Sequence, residues 1–424
     1  MLNLSLLLRS QWFRPDRLRR IQDEKLRKLV GFVYRRVPFY RSRFESVGLV
    51  PSDIRGIDDL YKIPLITKQD LQQAELRDVT ASGTDLSRCY RSRTSGSTGV
   101  PLEILTLPSD RAALHPSYLR AYMAWGYRPW HRAASFHARS EALSSRSWYE
   151  NIGIFRRRNL SSLDPPDRWI KKLRRWKPFH VHGYVLTLKL LAETVMQEGI
   201  EDLHFPVVSS TSGLLDKNAR QLIRSAFQTS LIDIYGSEEA GSVIAWECPT
   251  CSSYHVNTDC VVLELLREGK PAAPGEEGEI VITNLNYYTM PFIRYEQGDR
   301  AVAGSGEPIC GRGFPLIRKI LGRAGDYIVL PSGRKLTPHP FFLALDHVLG
   351  VGEWRITQES LTEIHVEVTL SKGNAEELKR EVNTRLQGLL EPGMVAKVSI
   401  RESIRRDPSQ KLRSVVSHIS AESL

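Results

Sequence analysis

Arg93-Thr94-Ser95-Gly96-Ser97-Thr98-Gly99-Val100-Pro101 is a run of hydroxyls and glycines with no large side chain between Arg93 and Val100. Glycines let the backbone turn so that successive amides face one anion, and the hydroxyls add donors around the same oxygens. The stretch therefore reads as a phosphate-binding loop. It is not a Walker A loop, which carries a lysine directly after its last glycine, where this chain has Val100. A Gly/Ser surface loop shares this composition, so the decision rests on the rest of the chain.

At 424 residues the chain exceeds what one hydrophobic core usually serves, and a large domain with a smaller one is expected. Apolar residues make up 41% and charged residues 25%, a folded composition far from that of disorder. The apolar stretch Leu2 to Leu8 is interrupted by Asn3 and Ser5 and is too short to span a bilayer, so no transmembrane segment and a cytoplasmic location are expected.

The net charge of +11 favours anionic partners. Its densest region is Arg156-Arg157-Arg158 followed by Lys171, Lys172, Arg174, Arg175 and Lys177. A solvated helix face accounts for it, and a phosphorylated cofactor or an anionic lipid surface would also suit it. No zinc-finger, RNA-recognition or helix-turn-helix pattern accompanies the charge, so no nucleic acid is expected.

Five cysteines do not make a disulfide framework in a chain of this size. Cys248-Pro249-Thr250-Cys251 is followed by His255, and Cys310 stands in Ile309-Cys310-Gly311-Arg312. Three thiolates and an imidazole suit a closed tetrahedral structural zinc site. Cys89 and Cys260 read as reduced thiols.

The first eighty residues carry helical periodicity (Ile21, Leu26, Leu29, Val30, Val33) until Pro38 interrupts it. A short strand is expected at 102–105, a helix from about Ser109 to Ala124 kinked at Pro116, and a strand at 134–137. His180 and His182 alternate on a strand leading into a helix at 186–196, with no third metal ligand nearby. Both 206–213 and 231–241 read as strand, small-residue turn and helix, the arrangement by which an α/β sheet presents ligand contacts at its carboxyl ends. Strands follow at 261–266 and 278–283, and Gly298-Asp299-Arg300 reads as a turn. In the last hundred residues, strands at 364–370 and 395–400 flank a helix capped by Asn374 and Glu377, forming an α+β lid.

Taken in order, these pieces resemble the adenylate-forming enzymes, and more narrowly the phenylacetate–CoA ligase family with its capsular-polysaccharide-biosynthesis branch. The resemblance runs nearly end to end. It rests on the loop Thr94-Ser95-Gly96-Ser97-Thr98-Gly99, on Tyr235-Gly236-Ser237-Glu238-Glu239, on Ile293-Arg294-Tyr295 with Gly298-Asp299, on Gly322-Arg323-Ala324-Gly325-Asp326, and on Lys411. It implies a large α/β adenylation domain over residues 1–321 and a lid over 322–424, hinged near 322–326.

The resemblance also implies an ATP-dependent, AMP-forming acid–thiol ligase. The glycine loop would hold the β and γ phosphates, Glu239 would hold Mg²⁺, and Lys411 would bridge the substrate carboxylate and the α-phosphate. Asp299 and Arg323 would hold the ribose, while Thr211, Ser212, Gly213 and Tyr235, with Gly236 and Ser237 beside it, would frame the adenine. An acyl-CoA thioester is the default product. Transfer to an amine or hydroxyl acceptor without coenzyme A is the alternative, and a non-catalytic nucleotide-binding or scaffold protein is a third reading. Phe136, His137 and Tyr184 are candidate lining for the acid pocket, and an oligomer is possible.

The chain departs from the family pattern at Glu238, where threonine or serine is common, at Gln410, where glycine usually precedes the lysine, and at Gly325, a common hinge aspartate. Pro308 stands where relatives often carry a cysteine, and Cys251 would supply the missing zinc ligand.

Overall fold

The computed structural model describes residues 2–93, 102–114, 116–137, 148–323, 328–332, 335–336, 341, 344–345, 348–404 and 414–419. Its centre is a sheet of twelve strands with a change of character in the middle. Ahead of it, β1 (Tyr90–Arg93) and β2 (Glu103–Thr106) form a separate antiparallel hairpin across the glycine-rich segment.

Parallel pairing joins β3 (Ala133–His137), β4 (Arg157–Ser161), β5 (His180–Tyr184), β6 (Val207–Thr211) and β7 (Ser230–Ser237) in the spatial order β4-β3-β5-β6-β7. Crossovers bring helices Pro166–Trp176, Val185–Gln197 and Lys217–Phe227 against this half. Two of the three open on a local sequence signal. Pro166 sits in the first turn of its helix, where no amide partner is needed, and the Asp216 carboxylate caps the third by accepting from the Ala219 amide at 2.7 Å. Their apolar faces, with Trp169, Leu173, Leu188, Leu191, Ile223 and Phe227, close one core with Phe136, Val181 and Val208 of the strands.

On the other side of β7, every strand pairing within this sheet is antiparallel. The strands are β8 (Ser242–Glu247), β9 (Tyr254–Val256), β10 (Val261–Arg267), β11 (Lys270–Pro271), β12 (Glu277–Asn284), β13 (Tyr295–Ala303) and β14 (Leu316–Arg323). The segment 231–241 thus ends in a hairpin rather than a helix. Gly236 explains the reversal, because a Cβ there would stand 2.8 Å from the Ser242 carbonyl oxygen, and only glycine lets the two strands approach. Helices Pro15–Arg36 and Pro38–Ser46 cover this half, with Leu26, Leu29, Val30 and Val33 fully buried. Pro38 ends the first helix and opens the second at a position that needs no donor.

Gly298-Asp299-Arg300 lies within β13, not in a turn. Glu279 pairs with Arg300 and Val281 with Glu296, so residues 297–299 bulge opposite Ile280. Gly298 adopts φ +67°, the left-handed conformation such a bulge needs.

A second sheet holds β17 (Val351–Ser360), β18 (Glu363–Leu370), β19 (Val395–Arg401) and β20 (Val415–Ser417) in the order β19-β18-β17-β20. Helix Ala375–Gln387, capped by Asn374, packs Leu378, Val382 and Leu386 onto it. A short hairpin of β15 (Ile328–Val329) and β16 (Lys335–Leu336) joins this unit, since the Gln358 side chain donates to and accepts from the Val329 backbone at 2.6 and 2.8 Å. The fold is thus a large α/β domain with a smaller α+β C-terminal domain. Among the described residues no helix is long and apolar enough to cross a membrane.

One buried ion pair ties distant segments together. Arg120, wholly buried on helix Pro116–Ala124, donates two hydrogen bonds to Asp259 at 2.9 and 2.6 Å and one to Asn257 at 2.8 Å. Ser10 of helix Leu2–Ser10 donates to the same carboxylate, and Lys25 donates to the Asp259 carbonyl. Burial alone would raise the Asp259 pKa, but Arg120, Ser10 and Lys25 outweigh it and hold the carboxylate ionised. Removing one member strands a buried charge. Arg120→Leu is expected to destabilise the fold by about 3–5 kcal/mol, measured by urea unfolding, with Arg120→Leu/Asp259→Leu recovering most of the loss.

Candidate active site

The site forms where the sheet changes from parallel to antiparallel, at the carboxyl ends of β5, β6 and β7. Tyr184 pairs with Thr211 and Ser210 with Asp233, so Tyr184, Thr211 and Tyr235 come to one edge. Ser212 takes φ +55°, turning the chain away after β6. Gly213 passes so close to Val185 that an added Cβ would stand 3.2 Å from the valine Cβ.

From the antiparallel side, the bulge in β13 turns Asp299 back toward this edge. The Tyr235 hydroxyl donates to Asp299 Oδ2 at 2.8 Å. Two residues from separate motifs, 64 positions apart, therefore share one hydrogen bond. Across the β13–β14 ladder Asp299 pairs with Arg323, which sets the arginine backbone opposite that of Asp299; the Arg323 side chain lies outside the described residues.

The turn after β7 separates the two glutamates. The Ser237 hydroxyl accepts from the Ala240 amide at 3.0 Å, and the Gly241 amide donates to the Glu238 carbonyl at 3.0 Å. Glu238 is exposed, whereas Glu239 is half-buried and accepts from the Tyr295 hydroxyl at 3.3 Å. Arg294, by contrast, is committed to the framework. It makes a two-pronged ion pair with Glu264 at 3.1 and 3.0 Å and donates to the Ile63 carbonyl at 2.7 Å. Thr94 to Gly99, Ala324 to Asp326 of the expected hinge, Gln410 and Lys411 lie outside the described residues.

Beneath Tyr235, Asp233 accepts from Ser210 at 2.8 Å and from Tyr254 at 2.7 Å, linking β6, β7 and β9. Burial pushes its carboxyl up to about 6, against the pull of these hydroxyls. A raised folded value means the folded chain holds the proton more tightly. The contribution of Asp233 to stability is then greatest below the ordinary carboxylate range and falls as pH rises toward 6, by at most about 1.4 kcal/mol per pH unit. Asp233→Asn is expected to flatten this slope, measured by denaturant unfolding at pH values from about 4 to about 6.5.

Of the candidate lining, Phe136 is core, packed edge-on to Trp169 at 5.2 Å. Burial lowers the His137 pKa, with Arg157 adding to the effect. The two histidines of β5 converge on one hydroxyl that sequence reasoning missed. His180 Nε2 and His182 Nδ1 each lie 2.8 Å from Ser209 Oγ, under the rings of Tyr118 and Tyr122. Burial, reinforced by His182, pushes the His180 pKa well down, so it stays neutral. The signal was present, since residues paired in a parallel ladder face the same way and His182 pairs with Ser209.

Away from this edge, the ligand atoms of Cys248, Cys251, His255 and Cys310 lie within 4.8 Å of one another. Cys248 and Cys251 occupy the tip of the β8–β9 hairpin, closed by the Cys248 amide on the Ser253 carbonyl at 2.8 Å. His255 Nδ1 lies 3.3 Å from the Phe314 carbonyl and Nε2 lies 3.2 Å from Cys310 Sγ. The Nδ1 proton thus goes to the carbonyl, leaving Nε2 as the electron-pair donor aimed at the thiols.

No protein-family model matches the chain. It is 26% identical over 386 residues to the phenylacetate–coenzyme A ligase of Thermus thermophilus, covering 87% of this chain and 84% of that protein. To the enzyme of the same name from Escherichia coli it is 26% identical over 351 residues, covering 74% and 73%. Among solved structures, a 2-hydroxyisobutyryl-CoA ligase in the postadenylation state, with 2-HIB-AMP, superposes with a TM-score of 0.80 at 21% identity, covering 95% of this chain and 91% of that one. The o-succinylbenzoate–CoA synthetase of Bacillus subtilis with AMP gives 0.55 at 16% identity, covering 76% and 67%. The chain thus resembles the phenylacetate–coenzyme A ligases over most of its length and has the fold of the adenylate-forming CoA ligases.

Proposed function

We propose that this chain is an ATP-dependent acid ligase that forms an acyl-adenylate and then an acyl-CoA thioester. The observation that carries the reading is the Tyr235–Asp299 hydrogen bond, which unites two nucleotide-binding candidates at the sheet's switch point. Similarity to CoA ligases in sequence and fold supports both half-reactions.

In the first step a carboxylate oxygen attacks the α-phosphorus of ATP, and pyrophosphate leaves. In the second, the thiol of coenzyme A attacks the acyl carbon, and AMP leaves. Both partners of the first step are anionic, so the site must supply donors and positive charge. Asp299 would accept from the ribose hydroxyls, with Tyr235 fixing the carboxylate's orientation and Arg323 beside it. Thr211, Ser212 and Gly213 would frame the base, with Gly236 and Ser237 shaping the turn opposite. Thr94, Ser95, Gly96, Ser97, Thr98 and Gly99 would hold the terminal phosphates. Glu239, half-buried beside the Tyr295 hydroxyl, would hold Mg²⁺, which offsets triphosphate charge. Lys411 would reach the reacting oxygens from the lid over 322–424, whose rotation at residues 322–326 would withdraw it for the second step.

The functional test is mass-spectrometric detection of AMP and a CoA thioester from a panel of aryl, hydroxy and fatty acids. Lys411→Ala is expected to lower acid-dependent adenylate formation by about a hundredfold or more while ATP binding persists. Full adenylation by that variant would remove Lys411 from the mechanism.

For the cysteine cluster we propose a structural zinc ion held by Cys248, Cys251, His255 and Cys310. Three soft thiolates and a donor-oriented imidazole are the ligand set zinc favours. The ion would fasten the loop containing Cys310, where Arg312 donates to Gln11 at 2.9 Å and lies over the Trp12 ring, to the β8–β9 hairpin. About one zinc per chain is expected by elemental analysis, with Cys251→Ser lowering both zinc content and melting temperature. Metal-free protein of unchanged stability would contradict the assignment.

A further inference from the structure

The function proposed above does not use the basic run Arg156-Arg157-Arg158. It lies at the amino-terminal start of β4, the opposite end of the parallel strands from the candidate active site. There it lines a cleft of about 350 Å³ with Arg132, Arg175, Glu150 and Trp176. Five guanidinium groups therefore face one carboxylate.

That carboxylate is already engaged, since Glu150 pairs with Arg157 at 3.6 Å. None of the other four arginines has an ion-pair partner among the described residues. Arg132 donates to the Trp176 carbonyl at 3.0 Å, and Arg158 stacks over the Trp176 ring at 4.7 Å. The Trp176 indole is itself pinned, donating to the Ala133 carbonyl at 2.8 Å. Arg156 donates weakly to the Trp130 carbonyl at 3.4 Å, while its Nε is buried with no partner among the described residues. Arg175 stands exposed at the rim.

Gathering four uncompensated cations in one cleft is unfavourable by itself, and an anion removes the repulsion. The planar guanidinium fork matches phosphate oxygens in pairs, and two arginines here are held in place by a fixed ring. A single carboxylate would leave most of the charge unmatched, whereas a diphosphate carries comparable charge and enough acceptor oxygens for several forks. We propose that this cleft is a second, non-catalytic anion site that binds a diphosphate group. The group could be carried by a soluble molecule or presented by a lipid headgroup, and exposed Trp130, Trp148 and Ile152 lie close to the cleft in sequence.

The test uses the full chain, with a non-hydrolysable ATP analogue filling the nucleotide site. Calorimetric titration with inorganic pyrophosphate reads the soluble source. Co-flotation with phosphatidylcholine vesicles, with and without diacylglycerol diphosphate, reads the lipid source. Each is run on the wild type, on Arg156→Ala/Arg175→Ala, and on Lys171→Ala/Lys172→Ala, which removes equal charge from the same region outside the cleft. Binding in either arm that weakens about tenfold or more in the arginine variant, and little in the lysine variant, is expected. Pyrophosphate binding without vesicle binding assigns the soluble source, and vesicle binding, with or without pyrophosphate binding, assigns the headgroup. Absence of binding in both arms, or equal loss in both variants, overturns the proposal. Should the double arginine variant fail to fold by melting, Arg175→Glu, an exposed single change, serves in its place.

Discussion

The backbone pairing of β7 is the constraint on which the rest of the molecule depends. On one side it pairs in parallel with β6, on the other in antiparallel with β8. A parallel sheet needs long crossovers, which bring helices onto its faces, whereas hairpins do not. One strand therefore divides the large domain into a half built on helical crossovers and a half built on hairpins, and the edge between them is where ligand contacts from both can meet. Gly236 makes the reversal possible, and Tyr235 beside it spans the gap to Asp299.

The same geometry explains why so much polar structure lies buried around that seam. Asp233 joins three strands through Ser210 and Tyr254, and Arg120 with Asp259 joins the N-terminal helix to the hairpin half. Such groups add little to net stability when complete, and removing one partner is costly. They fix register and position. The Cys/His cluster extends this framework to the loop that packs on Gln11 and Trp12.

Local pattern made much of the fold legible in the sequence. The periodic apolar face of the first helices, the proline at 38 and the cap at Asn374 each act within a few residues, and each appears where its chemistry puts it. What escaped depended on partners far away in the chain. Gly298-Asp299-Arg300 looks like a turn because glycine-aspartate pairs favour turns, but ladders on both sides absorb it as a bulge. The segment after Tyr235 looks like another strand-to-helix unit, and only the close approach of Gly236 to Ser242 turns it back. In the site, the cysteine spacing followed from a motif, and Tyr235 and Asp299 were each singled out by one, but the hydrogen bond between them joins two separate strands and was not legible. Nor was the His180–Ser209–His182 cluster, because it is assembled across two strands from residues with no shared motif.

Carboxylate activation at the β7 seam can be read from acid-dependent exchange of labelled pyrophosphate into ATP. It isolates the first half-reaction, needs no coenzyme A and accepts pooled acids. Exchange that appears with at least one acid pool and disappears in Asp299→Ala, with the fold of that variant intact, is the predicted result. Exchange at the wild-type rate in Asp299→Ala would contradict the account, as would ATP binding without exchange across aryl, hydroxy, amino and fatty acids.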